Sequence, residues 1–293
     1  MPQAEPQADG TARGRVCVLT GATAGIGLAA AEALGARGWR LVLAGRSPER
    51  GEAALSLLRS RVPALDARFV YADLSIIAEM DRLGRQLAAE EPRIDVLVNN
   101  AGTFVFDRRV TPDGLELMFA TNHLAYFVLT RHLLPSLKAA APARIVNVAS
   151  IAHRRESLDF DDLQSERRFF GMTAYSRSKL ANILFTRELA RRLAGTGVTA
   201  NCLHPGVINS NLAENNRPFV RGLVRLVKRV AGKSTAKGAE TIIHLATAPE
   251  VAGTSGGYFD NCRAVSPSPQ AQDDAAAVKL WSVSEALAGS ATS

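Results

Sequence analysis

Short apolar runs recur along the chain at Val16 to Thr20, Leu41 to Ala44, Arg68 to Tyr71, Ile94 to Val98, Arg144 to Ala149 and Thr199 to Leu203. Most are too continuously apolar to be strands with one wet face, so they read as strands buried on both faces. The longer segments between them carry helix formers. The pattern predicts a βαβ series: an α/β fold in one domain, with a doubly wound parallel sheet covered by helices on both sides. Ligands of such a sheet bind at the carboxyl ends of its strands.

Local signals refine this outline. Ser47-Pro48-Glu49 and Thr111-Pro112-Asp113 each offer an N-cap followed by an N1 proline, so a helix is expected after each, the second one long. Gly256-Gly257 predicts a tight turn before a last strand in which Tyr258 and Phe259 pack as core. Residues 1 to 13 read as a disordered tail and 14 to 288 as the folded unit. The strand and helix series is interrupted at 207 to 235, which predicts a flap over the site.

Composition narrows the classes of function. The chain has 293 residues and a net charge of +7, but its basic residues are mostly mixed with acids and only 6% of residues are aromatic, which argues against nucleic acid. Three scattered cysteines, Cys17, Cys202 and Cys262, give neither metal-ligand spacing nor a disulfide framework. No metal is expected, and a reducing, cytoplasmic location suits them. The first 13 residues have no apolar core, so neither signal peptide nor membrane anchor is expected there. Within the flap, "RPFVRGLVRLVKRVAGK" carries Arg217, Arg221, Arg225, Lys228, Arg229 and Lys233 with no acid. Such a basic amphipathic segment suits an anionic membrane surface or a lid over an apolar pocket; the lid is the expectation favoured here.

Candidate chemistry begins at "TGATAGIG", where Gly21, Gly25 and Gly27 lie between the first strand and a helical stretch. Glycines there let the backbone approach a pyrophosphate held at the helix N-terminus. An NAD site places an acid about 20 residues further on, at the end of the second strand. Here the stretch is "LAGRS". Arg46 would pair with a 2′-phosphate and Ser47 could add a donor, so NADP(H) is predicted over NAD(H). Further along, "TAYSRSKLAN" puts Tyr175 and Lys179 on one helix face. A phenol titrates near 10, and a neighbouring ammonium is expected to lower it toward the working range of an acid/base.

"TGATAGIG", "NNAG" at 99 to 102, Ser150 closing the fifth strand, and "YSRSK" beginning 25 residues after it together resemble the short-chain dehydrogenase/reductase family. The resemblance runs from about residue 14 to 288. "SIAHRR", "DFDDLQ", "ATNHL", "HPG" and the tail from "GGYFDNCRAVSPSPQ" to "LWSVSE" are similar to its retinol dehydrogenase-like branch. It implies a Rossmann-type fold and an oxidoreductase moving a hydride between nicotinamide and the carbon of a lipophilic aldehyde, ketone or secondary alcohol. Tyr175 would then be the acid/base, Ser150 would hold the substrate oxygen, Lys179 would also bind the nicotinamide ribose, and Asn122 would support a proton-relaying water. Cofactor contacts implied are Gly21, Thr23, Ala24, Gly25, Ile26 and Gly27 in the loop and Asp73 and Leu74 at the adenine. Asn99, Ala101 and Gly102 would line the dinucleotide, and Pro205, Gly206, Val207 and Ile208 would close over the nicotinamide. Asp73 could serve as a helix N-cap as well. His204 reads as a packing residue and His153 as a loop histidine near Ser150. A homodimer or homotetramer through the long helices is implied too. The alternative from another class is an NADP(H)-binding sensor or scaffold without turnover.

Overall fold

The computed structural model describes residues 14–206 and 234–289. Eight strands form one sheet in the order β3-β2-β1-β4-β5-β6-β7-β8. In chain order they are β1 (Val16–Thr20), β2 (Arg40–Gly45), β3 (Ala67–Tyr71), β4 (Val96–Asn99), β5 (Ala143–Val148), β6 (Val198–Leu203), β7 (Tyr258–Asp260) and β8 (Arg263–Ala264). The first seven are parallel, and β8 folds back antiparallel on β7. The reversal of strand order between β1 and β4 opens the crevice in which ligands of doubly wound sheets bind.

Strand alternation divides the core in two. Val16, Val18, Val42, Leu97 and Ile145 face one side, where they meet Leu83, Phe127 and Phe185. Cys17, Leu19, Leu41, Val98 and Val146 face the other, against Leu34, Leu58 and Ile242. The first side is covered by α3 (Ile77–Glu90), α5 (Ala125–Ala139) and α6 (Gly171–Arg192); the second by α1 (Gly25–Gly35), α2 (Pro48–Arg61) and α7 (Thr235–Thr247). The last helix, α8 (Asp274–Gly289), packs on α6.

The cap predicted at Ser47 is present: its hydroxyl accepts from Arg50 N at 3.2 Å, with Pro48 at N1. The helix predicted to start at Thr111 does not start there. Gly114 takes φ +77°, and Thr111 N donates back to Leu115 O at 2.8 Å, closing a turn joined by a bridge between Val110 and Glu116. The helical stretch begins as α4 (Leu117–Phe119), capped by the buried Glu116 carboxylate, which accepts from Met118 N and Phe119 N at 2.9 and 2.7 Å. Asp113 caps α3 instead, accepting from Ile77 N at 2.8 Å. Between α4 and α5 the chain makes a π-turn over Ala120–Leu124. No helix of the described residues is long and apolar enough to cross a membrane.

Candidate active site

The loop after β1 and the end of β4 are tied by side chains. Thr20 Oγ1 accepts from Asn100 N and Ala101 N, each at 3.0 Å, while Asn100 Nδ2 donates to Thr20 O at 2.9 Å. The contact is so close that a Cβ on Gly27 would stand 2.4 Å from Gly21 O and 2.6 Å from Asn100 Nδ2. The α1 N-terminus has no side-chain cap and no acid in its first turn. Its free N–H groups and the positive end of its dipole therefore suit an anion.

This loop forms one end of a cavity of about 700 Å³ at the carboxyl ends of the strands. Arg46 and Arg50 line it beyond β2, and Tyr175, Lys179 and Ser150 line it beyond β5. Arg50 was not foreseen, though it stands four residues after Arg46 in the first turn of α2. Asp73 and Leu74 line the cavity, the carboxylate accepting from Ser75 N and Ser75 Oγ at 3.0 and 2.8 Å. It thus caps the turn before α3, whose first N–H goes to Asp113.

Tyr175 and Lys179 share the inward face of α6 as predicted, but the pKa effect runs the other way. Burial pushes the Tyr175 phenol up to about 12, partly offset by the Ser150 hydrogen bond. The ring packs edge-on against Phe104, with centroids 5.5 Å apart. Burial also pushes Lys179 down to about 7. Its Nζ donates to Val148 O at 3.0 Å and lies over the Tyr175 ring, 5.9 Å from the centroid. Burial of both groups thus outweighs the pull of the ammonium on the phenol.

Asn122 lies in the π-turn, fully buried behind the cavity. Its Oδ1 accepts from Thr103 N at 2.7 Å, and its Nδ2 donates to Thr103 O and Ser178 Oγ at 3.0 and 2.9 Å. Ser178 Oγ in turn donates to Tyr175 O at 2.7 Å. Both amide hydrogens are thus committed to protein partners, in a π-turn of the kind that clusters at functional sites. Gly102 permits this packing, since a Cβ there would come within 3.3 Å of Asn122 Oδ1 and 3.5 Å of Lys179 Nζ.

Two predicted cofactor contacts are not brought to the cavity. Asn99 is buried and donates to Thr130 Oγ1 and Asn147 Oδ1 at 3.1 and 2.9 Å, so Asn100 takes its place in the lining. Ser47 is committed to capping α2, with its hydroxyl also bonded to Glu49 Oε2 at 2.7 Å. Thr23, Ala24, Ile26, Ala101, Gly102, Pro205 and Gly206 all line the cavity. Val207, Ile208 and the flap from 207 to 233 lie outside the described residues.

The two histidines are packing groups. His153 is fully buried, its Nδ1 donating to Ser150 O at 2.8 Å and its Nε2 accepting from Ser268 N at 3.1 Å. His204 Nδ1 accepts from Gly206 N at 3.2 Å, and its ring packs beside Tyr258. Among the described residues no group of three His, Cys, Asp or Glu side chains could hold a metal ion.

Besides this glycine cradle at an uncapped helix N-terminus, sharing one cavity with a serine, tyrosine and lysine, residues 15–220 of the chain match the family model described as short chain dehydrogenase. The chain belongs to the short-chain dehydrogenase family. It is 42% identical to mouse retinol dehydrogenase 14 over 292 residues, covering 96% of this chain and 87% of that protein. Human dehydrogenase/reductase SDR family member 13 is also 42% identical, covering 96% of this chain and 74% of its own length. A solved structure of an uncharacterized protein from Mycobacterium Paratuberculosis superposes with a TM-score of 0.77 at 31% identity, covering 94% of each chain. These similarities place the chain in the retinol dehydrogenase-like branch, as an oxidoreductase of CH–OH groups that uses a nicotinamide cofactor.

Proposed function

We propose that this protein is an NADP(H)-preferring reductase of lipophilic aldehydes or ketones, reversible toward the corresponding alcohols. The observation that carries the reading is one cavity lined by the Tyr175 phenol beyond β5 and by Arg46 and Arg50 beyond β2. The residues fit a dinucleotide. The uncapped α1 N-terminus suits the pyrophosphate, Arg46 and Arg50 suit a 2′-phosphate, and Asp73, the one carboxylate among the described lining residues, is occupied by Ser75. When bound, the nicotinamide supplies or accepts the hydride.

The chain's own part is to manage a proton. A phenol held near 12 is fully protonated at neutral pH, so Tyr175 Oη is a donor toward a substrate oxygen, which favours reduction. The Ser150 hydroxyl, already bonded to Tyr175, is placed to donate to the same oxygen as charge develops on it. Lys179, poised near 7, can carry a proton at neutral pH and so stabilise the phenolate left behind. Asn122 acts as a positioning residue, tying Thr103 to the turn of α6 that bears Tyr175.

The cofactor preference is tested by fluorescence titration with NADPH and NADH. Wild type should bind NADPH at least about tenfold more tightly, a difference of about 1.4 kcal/mol. Arg46→Asp with Arg50→Asp should abolish that preference. Equal affinities in wild type would refute it.

A further inference from the structure

Two of the cations lining the cavity stand apart from the end that suits the dinucleotide phosphates. Arg154 and Arg155 end the 3₁₀ turn Ile151–Arg155 that follows β5, with Ser150 as its N-cap. Arg46 follows β2. In the sheet β2, β1, β4 and β5 are successive neighbours, so the two arginine pairs follow strands roughly 14 Å apart, three strand spacings. The only carboxylate among the described lining residues, Asp73, is bonded to Ser75 after β3, on the far side again.

The turn is held rigidly. Ala152 N donates to Ser150 Oγ at 3.2 Å, and His153 anchors the turn to Ser150 O and Ser268 N. Arg154 is tethered to Ser266 O at 2.8 Å, whereas Arg155 makes no ion pair among the described residues. Beside them Ile151 and Met172 line the same cavity, 40% and 48% exposed. An apolar wall next to an unpaired guanidinium matches a ligand with an apolar body and an anionic group.

We propose that Arg155, with Arg154 beside it, forms an anion subsite at the substrate end of the cavity, and that the preferred substrate is an amphipathic carbonyl compound bearing a carboxylate. This rests on the reductase reading above and narrows its substrate class. A carboxylate on Arg155 would orient the chain so that the carbonyl reaches Ser150 and Tyr175.

The test compares ω-oxo fatty acids of six to twelve carbons with their methyl esters, using kcat/KM with NADPH. Wild type should prefer the best acid over its ester by about tenfold or more, and the ratio should fall with added salt. Arg155→Met should bring the ratio close to one, while Arg155→Lys should retain part of it; NADPH titration checks that each variant is folded. Turnover of esters with no preference for acids would overturn the subsite and leave the reductase reading standing. So would a preference that survives in Arg154→Met/Arg155→Met. No turnover of acid or ester with either nicotinamide would remove the reductase reading itself, and the subsite with it.

Discussion

At the scale of single residues the site is governed by burial. Lys179 titrates near 10.5 when solvated and near 7 in the fold. Between those values the unfolded chain holds a proton that the native chain lacks, so this group makes stability rise with pH, by up to about 1.4 kcal/mol per unit. Below about 7 its full destabilisation is present. Lys179→Met should therefore be more stable than wild type at pH 7 and lose that advantage by pH 10, as read by urea denaturation; a constant difference would contradict the burial argument. Gly27→Ala would drive a methyl to 2.4 Å from Gly21 O. It should weaken NADPH binding by more than about tenfold, checked by titration. The glycines, Tyr175, Lys179 and Ser150 were legible because their spacing carries the signal. The direction of the pKa shift was not, since it depends on how much water the fold removes. Asn99 and Asn100 show another limit: neighbours at a strand end point to opposite faces, so a one-residue error exchanges a core amide for a cavity wall.

At the scale of elements, strands buried on both faces announce themselves as apolar runs, and six of the seven parallel strands were predicted within two residues at either end. β8 has only two exposed residues and no such signal. The false helix start at Thr111 arose because Thr-Pro-Asp is equally good turn chemistry; what settled it was the Glu116 cap further along. The last helix, α8, fastens α6 from outside. Trp281 packs 5.0 Å from Phe127, stacks at 24° on Phe185, and receives Arg192 over its ring at 4.1 Å. Trp281→Ala should cost about 3 kcal/mol, seen as a lowered urea midpoint. Ser284 Oγ meets the buried His123 Nε2 at 2.9 Å, with the histidine held neutral by burial. Ser284→Ala should cost a further 1 to 3 kcal/mol, roughly the desolvation of the orphaned nitrogen; no change would show that the ring finds another partner.

At the scale of the whole molecule, the sheet brings residues from distant segments to one cavity: the loop after β1, the ends of β2, β3, β4, β5 and β6, the π-turn, and one face of α6. The long helices expected to carry a subunit interface are partly covered by the chain's own α8, so an assembly using that face of α6 would first have to displace it. The substrate end was the least legible part. Arg154 and Arg155 belong to no periodic pattern, and only the turn after Ser150 brings them to the cavity of Tyr175, whereas Met172 stands on α6 itself, three residues before Tyr175. The reductase activity proposed for this protein depends above all on the buried phenol as proton donor to a carbonyl. Its most direct test is NADPH-dependent reduction of apolar aldehydes by wild type and Tyr175→Phe, with NADPH affinity measured on both. Wild type should turn over, the variant should lose at least about 99% of kcat, and cofactor affinity should stay within about twofold. Turnover unchanged in Tyr175→Phe would contradict it.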